Sequence, residues 1–173
     1  MPDSLIPRLP GFDDPVSMLR ACHERMLAHC NTLERLAAHI AENGSDSEAG
    51  QAISNVVRYF STSAMQHHED EEEDLFPILS RQSPELGSLV SRLRVQHVHM
   101  NALWQQLARD LNDLAGLADN PEFAPRVAEF CALYREHIEL ENADLLSQAG
   151  TGLGSSQLED IGRAMARRRG LRY

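Results

Sequence analysis

The chain has 173 residues, 42% of them hydrophobic and 24% charged, a composition that is typical of one globular domain and excludes disordered, collagen-like and disulfide-rich proteins. Its 26 acidic and 16 basic residues give a formal net charge of -10, which argues against a nucleic-acid partner because phosphate binding needs a basic surface. The three cysteines have no CxxC spacing, so we expect neither disulfides nor a thiolate metal site. No apolar run is long enough for a signal peptide or a membrane span, so we expect a cytoplasmic protein without a membrane partner.

The hydrophobic period and the helix-start signals predict helices at about 15–42, 46–81, 84–117, 122–148 and 156–169. Asp14, Ser83 and Asn120 each precede a proline, and we expect each to cap the helix that follows. The alternation that is typical of strands is absent over any useful length. The sequence therefore predicts an all-α protein.

The four long predicted helices are each apolar along one face and have short connections, so we expect an antiparallel up-down-up-down four-helix bundle. The predicted organisation is a short N-terminal arm at 1–14, the bundle at 15–149, and a linker with a short basic helix at 150–173. The last helix is rich in arginine, and we expect these cations to complement the helix dipole. Docking of the arginines on the acidic bundle or on a partner is the less favoured alternative.

Every apolar stripe of the bundle is interrupted by a histidine. Helices one and three share the pattern Leu-x3-His-x2-Met, and helices two and four share Phe-x6-His-x3-Glu-x3-Leu. The chain is thus two similar helical hairpins, and packing them face to face would bring both sets together around a pseudo-twofold axis. The repeat selects six candidate metal ligands: His23, His67, Glu71, His97, His137 and Glu141.

Residues four apart lie on one helix face, so each His-x3-Glu pair directs two ligands at one centre. Two carboxylates without counter-charge would be costly in a core, and a pair of cations removes that cost if each glutamate bridges both ions. Imidazole and carboxylate without thiolate suit iron best, with manganese or zinc as poorer alternatives. The sequence therefore predicts two iron ions bridged by carboxylates.

The remaining histidines lie off the stripes. We expect His68 and His99 at the boundary or the surface, and His29 and His39 in solvent. A single inward histidine is usually part of a satisfied core, so the metal hypothesis depends on the conjunction of all six candidates.

An acidic run spans residues 69–74, and in it Glu71 alone is well placed to face inward. We expect the rest of the run to be a solvated face, with Glu72 as a reserve ligand if the helix is rotated. Tyr134, one turn before His137, is expected to be a core packing residue.

These residues resemble the hemerythrin-like (HHE cation-binding) family over about 15–148. Two segments carry the resemblance most specifically: His67-His68-Glu69-x-Glu71-Glu72-x2-Leu75-Phe76-Pro77 and Tyr134-Arg135-x-His137-Ile138-x2-Glu141. The resemblance implies a non-haem diiron centre in an up-down-up-down bundle. It also implies reversible oxygen binding, oxygen or iron sensing, or protection and repair of iron centres under oxidative or nitrosative stress.

The sequence departs from the oxygen-carrying members of that family at two positions. Those members have a second histidine four residues after the one on helix three, where this chain has Asn101. Their fourth helix has an aspartate five residues after its histidine, whereas here Glu141 follows at four. The set of four histidines and two glutamates is more similar to the sensing and stress-related branches.

The leading hypothesis is therefore a diiron protein, monomeric or homodimeric, that binds or senses oxygen, nitric oxide or iron, or acts in a stress response. One alternative is a diiron oxidase, a peroxidase or a nitric-oxide-handling enzyme, although such chemistry tends to use more carboxylates. Another alternative is a partner-binding bundle without metal, in which the six polar residues satisfy one another by hydrogen bonds.

Overall fold

A computed structural model describes residues 10–172, so the first nine residues of the predicted arm lie outside the described part. The α-helices are α1 (Pro15–Asn43), α2 (Ser47–Ser61), α3 (Ser63–Glu69), α4 (Phe76–Leu79), α5 (Pro84–Asn112), α6 (Phe123–Leu140), α7 (Leu146–Gly152) and α8 (Ser155–Arg168). Two π-helical turns, Asp70–Leu75 and Glu141–Leu145, join α3 to α4 and α6 to α7, and a 3-10 turn spans Leu117–Asp119. No strand occurs between residues 10 and 172, which confirms the all-α class.

Two of the three predicted helix starts are confirmed. Asp14 and Ser83 accept hydrogen bonds from the backbone N–H three residues later, at 3.1 and 3.2 Å, and a proline follows each of them. Asn120 was wrongly assigned as a cap. Its side chain accepts from the N–H of Glu122 at 3.0 Å within a turn, and α6 begins one residue further on, at Phe123.

The helix predicted at 46–81 is interrupted twice. The backbone leaves the helical region at Thr62, where φ is -130° and ψ is -77°, and it widens into the π turn Asp70–Leu75. The third helix, predicted to reach residue 117, ends at Asn112. Apolar spacing continues through all three places, so the hydrophobic period alone does not reveal the breaks.

The four long segments contact one another in a cycle: α1 packs on α2, α2 on α5, α5 on α6, and α6 on α1. Their apolar faces form two clusters. The larger contains the aromatic residues Phe60, Trp104 and Phe130. The smaller contains Leu19 and Phe76 and is shared with α7 and α8. The predicted domain boundaries and the up-down-up-down direction stay predictions.

The end of α8 binds the acidic π turn, which was the less favoured alternative for its arginines. Arg167 and Arg168 also lie in the last turn of α8, where they complement the helix dipole as expected. Arg168 contacts Asp70, and it also donates to Glu73 at 2.8 Å and to Asp74 at 3.0 Å. Arg169 donates to Asp70 as well, at 2.7 Å. Asp70 is fully buried, so the expectation that the neighbours of Glu71 are solvated is wrong at this residue.

Within residues 10–172, no helix combines the length and the apolar character that a bilayer span requires.

Candidate metal centre

The six predicted ligands are all buried and lie together between the two apolar clusters. On α1, His23 is flanked by Leu19 of the smaller cluster and by Met26 of the larger one. On α5, His97 occupies the same place in the repeated pattern. The clusters cover the centre from both sides along the helix axes, so its polar atoms are shielded from water.

Both glutamates lie in the π-helical turns, Glu71 in the first and Glu141 at the start of the second. Each stays beside the histidine four residues before it. His67 Nε2 lies 3.0 Å from Glu71 Oε1, and His137 Nε2 lies 3.2 Å from Glu141 Oε2. π-Helical turns are rare in proteins overall, but those that occur are often at functional sites. Here each hairpin has one at the matching position.

The imidazole nitrogens converge on one another in pairs. His23 Nε2 and His67 Nε2 are 3.1 Å apart, and the same distance separates Nε2 of His97 from Nε2 of His137. Two ring nitrogens this close repel unless a proton or a cation lies between their lone pairs. Each pair therefore marks a position for a positive charge.

The two carboxylates lie between the imidazole pairs. Glu71 turns Oε1 to His67 at 3.0 Å and Oε2 to His97 at 3.4 Å, so one oxygen faces each pair. Glu141 presents Oε2 to both sides, at 3.1 Å from His23 and 3.2 Å from His137. Both glutamates are thus placed to bridge two ions.

The geometry yields two overlapping clusters, and within each the candidate ligand atoms lie within 4.8 Å of one another. The first of these ligand clusters contains His23 and His67, the second contains His97 and His137, and both contain the two glutamates. None of the four glutamate oxygens forms a hydrogen bond, although all are buried. Buried carboxylate oxygens without hydrogen bonds are costly, so the residues present fit a pair of cations.

Three of the imidazoles are held from behind by side-chain oxygens. His23 Nδ1 lies 2.9 Å from Asn142 Oδ1, His97 Nδ1 lies 2.8 Å from Glu72 Oε1, and His137 Nδ1 lies 3.0 Å from Gln96 Oε1. A ring that donates its Nδ1–H in this way turns the Nε2 lone pair towards the centre, which is the usual arrangement of metal-binding histidines. Glu72, the reserve ligand, instead orients His97 from outside the centre.

These supporting residues extend the internal repeat, but they were not among the residues predicted from it. Glu72 and Asn142 each directly follow a centre glutamate, and each holds the histidine of the other hairpin. Gln96 directly precedes His97, and the matching residue before His23 is Cys22. Cys22 contacts His67, but His67 Nδ1 forms no hydrogen bond. The two hairpins therefore differ behind one imidazole.

The centre carries strong internal charge interactions. Burial lowers the pKa of His23, but contacts with Glu141 and Glu71 outweigh burial and raise that pKa to about 9. Burial opposes ionisation of Glu71, yet the charge on His67 and the contacts with His23 and His67 hold its pKa well below 4.5. In the metal-free chain, protons thus supply positive charge beside the carboxylates, and an ion that binds there must displace them.

The ring of His68 turns inward, although the residue is only partly buried, as expected at a boundary position. It stacks on His97, with 4.1 Å between ring centroids, and lies 6.0 Å from the ring of Tyr134. Burial, with the charge of His97, lowers the pKa of His68 well below 6.5, so the ring is neutral. The position of His68 directly after His67 was the one sequence signal that could have predicted its inward ring, but His68 lies off the apolar stripe of the helix.

The other histidines are outside the centre. His29 is partly covered because its ring stacks on Tyr59 at 3.9 Å, so the expectation that it is solvated was wrong. His39 pairs with Asp46 at 3.0 Å and its side chain is only 25% exposed, so the expectation that it is solvated is wrong as well. The side chain of His99 is 54% exposed, in agreement with a surface position.

A surface cleft of about 220 Å³ lies between α3 and α5 and reaches the edge of the centre at His97. His68 and Asn101 also line it, as do Met65 and Val98. Of the imidazole pair His97 and His137, His97 alone lines the cleft.

Two comparisons show which known proteins the chain is similar to. An uncharacterised protein of Haemophilus influenzae is 27% identical over 158 residues, which are 91% of this chain and 91% of that protein. The hemerythrin HHE cation binding domain family matches residues 14–149, a range that contains all six candidate ligands and stops before α8. The chain therefore belongs to the hemerythrin HHE cation-binding domain family.

Proposed function

We propose that the chain binds two iron ions in a non-haem centre bridged by carboxylates. One ion is held by the imidazoles of the first cluster and the other by those of the second, with both glutamates shared. The ligands are His23, His67, Glu71, His97, His137 and Glu141. The observation that carries this proposal is the pair of overlapping clusters with two glutamates in common.

The unpartnered glutamate oxygens favour a metal centre over a purely polar core. A bundle without metal requires Glu71 and Glu141 to be satisfied by hydrogen bonds from the four imidazoles. Their oxygens lie within 3.0 to 3.8 Å of imidazole nitrogens, yet none accepts a hydrogen bond. Ions between these groups would satisfy the oxygens and the nitrogens together.

The donor set favours iron among the available metals. It comprises four imidazole nitrogens and two carboxylates, without a thiolate among the six. Mixed nitrogen and oxygen donors suit iron, and manganese or zinc are poorer alternatives.

The biological role proposed here is the binding or sensing of oxygen, nitric oxide or iron, within a response to oxidative or nitrosative stress. Bound iron would supply an open coordination position and a reversible change of oxidation state. The cleft beside His97 admits a small molecule such as oxygen, nitric oxide or peroxide. The apolar clusters restrict water, and Asn142, Glu72 and Gln96 hold the imidazoles in place.

The wider proposals concern architecture and setting. The cyclic contacts of α1, α2, α5 and α6 support an antiparallel up-down-up-down bundle. The three cysteines are free and buried, which fits a reducing compartment such as the cytoplasm. We place the protein there as a monomer or a homodimer, without a nucleic-acid or membrane partner.

Metal content per chain tests the centre most directly. Protein expressed with ample iron and purified without chelator should contain two irons per chain, measured by elemental analysis. Glu71→Gln should lower that number, whereas Glu73→Gln, at a side chain that is 66% exposed, should leave it at the wild-type value. A folded chain without metal would overturn the centre, and zinc in place of iron would overturn the redox role.

Turnover separates a binding or sensing protein from an enzyme. The iron-loaded chain should consume peroxide or nitric oxide no faster than an equal amount of free iron. Faster consumption by the wild type, lost in Glu71→Gln, would instead support the oxidase, peroxidase or nitric-oxide-handling alternative.

A further inference from the structure

We propose that His68 is a fifth imidazole of the centre, and that its Nε2 binds the metal ion held by His97 and His137. This inference rests on the proposed two-metal centre and goes beyond it, because it makes the two ions chemically different. Its first support is a third cluster in the structure: His68, His97 and His137 each offer a ring nitrogen within 4.8 Å of the other two.

The second support is the environment of the ring. His68 is stacked between His97 and Tyr134, at interplanar angles of 23° and 21°. It meets His137 edge-on, with 6.1 Å between ring centroids. Within this packing, His68 Nε2 is buried and has no hydrogen-bond partner. A buried ring nitrogen without a partner costs free energy, and binding an ion would remove that cost.

Binding requires the His68 ring to turn, because two rings stacked at an interplanar angle of 23° cannot both direct their in-plane lone pairs at one ion. Two nitrogens that bind one ion at about 2.1 Å are at most about 4.2 Å apart. The 4.8 Å limit of the cluster therefore leaves a fraction of an ångström to close between the nitrogens, in addition to that turn of the ring. The cleft of about 220 Å³ is lined by His68 and Asn101, so the ring has free space beside it into which it can turn.

The repeat shows why one ion alone gains this ligand. His68 follows His67, and the matching residue after His137 is Ile138, a buried hydrocarbon side chain without a donor atom. The first cluster has no third histidine among the described residues that group around it. The ion of the second cluster is therefore bound by three imidazoles and the ion of the first by two.

Cobalt binding tests this asymmetry without requiring activity. Metal-free chain is titrated with Co²⁺ under anaerobic conditions, and the visible d–d absorption is followed. The wild type should take up two ions. His68→Phe, which keeps an aromatic ring in the stack, should lower the affinity for one of the two ions at least tenfold. It should also raise the molar absorptivity of that ion, because the ion loses one ligand. His29→Phe is the matched control, since His29 also stacks on a tyrosine but lies outside the clusters.

A second measurement uses the unaltered chain, so it does not depend on whether a variant folds. Each metal-bound imidazole retains one ring N–H, and its proton resonance is shifted by paramagnetic Co²⁺. Five such exchangeable resonances are expected in the doubly loaded wild type, and four would overturn the proposal.

The outcomes also separate this inference from the proposed centre. If the wild type binds two ions and His68→Phe binds them with unchanged affinities and absorption, the centre stands and His68 is a packing residue only. Failure of the wild type to bind Co²⁺ at all would overturn both.

Discussion

Arg169 and Asp70 form a buried bidentate ion pair between the end of α8 and the π turn that carries Glu71. The guanidinium donates to Oδ1 at 3.1 Å and to Oδ2 at 2.7 Å, and Asp70 is fully buried. Asp70 directly precedes Glu71, so a helix outside the matched family range is tied to the backbone that carries a candidate ligand. Paired hydrogen bonds between arginine and carboxylate are among the strongest polar contacts, and they fix geometry as well.

Removing this ion pair should destabilise the chain strongly. Arg168→Ala combined with Arg169→Ala leaves the Asp70 carboxylate buried without a counter-charge, which costs about 3–5 kcal/mol. Urea unfolding of the metal-free chain measures the loss. Arg163→Ala is the control, because Arg163 and Glu159 are both more than half exposed and such pairs contribute at most about 1 kcal/mol. Equal losses in the two variants would contradict the argument.

Gly162 fits α8 closely against the segment before α1. A Cβ at this position would lie 1.9 Å from the carbonyl oxygen of Phe12, so Gly162→Ala must displace α8 or that segment. Overpacking of this kind costs about 1–3 kcal/mol and should lower the melting temperature by several degrees. In the control, Gly150→Ala, the added carbon has no neighbour within 4 Å, so the melting temperature should hold or rise. The opposite ranking would show that α8 is loosely docked.

Asn142 should matter for metal affinity although it lies outside the six ligands. Its side-chain oxygen is 2.9 Å from His23 Nδ1, so Asn142→Ala removes the group that orients this imidazole. Loss of such a partner typically weakens metal binding about 10- to 100-fold. Competition with a chromogenic chelator measures the affinity. Asn55→Ala, at an exposed position on α2, provides the comparison and should bind as the wild type does.

Metal binding should strengthen as the pH rises from 7 to 9. Contacts with Glu141 and Glu71 overcome burial and raise the pKa of His23 to about 9, so this imidazole still holds a proton at pH 7. An ion must displace that proton, and the apparent affinity should increase about tenfold per pH unit for each proton that binding releases. His67 contributes as well, because the charge of Glu71 outweighs burial and raises its pKa well above 6.5. Co²⁺ titrations at several pH values measure the slope. Affinity that falls or stays level over this range would show that metal binding displaces no proton from His23.

Part of the centre was predictable because a helix has a fixed period. His67 and Glu71 are four residues apart, and so are His137 and Glu141, so each pair lies on one face whatever surrounds it. The capping residues Asp14 and Ser83 act on N–H groups three residues away and were predicted for the same local reason. The repeat then indicated that the two hairpins meet.

The partners of those residues depend on contacts between helices. Asn142 meets His23 across 119 residues of chain, and Arg169 meets Asp70 across 99. The hydrophobic period gives the apolar face of one helix, but not how far that helix is rotated or shifted against its neighbours. It also does not reveal the π turns or the inward ring of His68, since both follow from packing along the whole bundle. The sequence by itself thus determined the all-α class, the faces of the main helices and the six candidate ligands. Tertiary packing decided which side chains hold, cover and approach them, because these contacts join segments far apart in the chain.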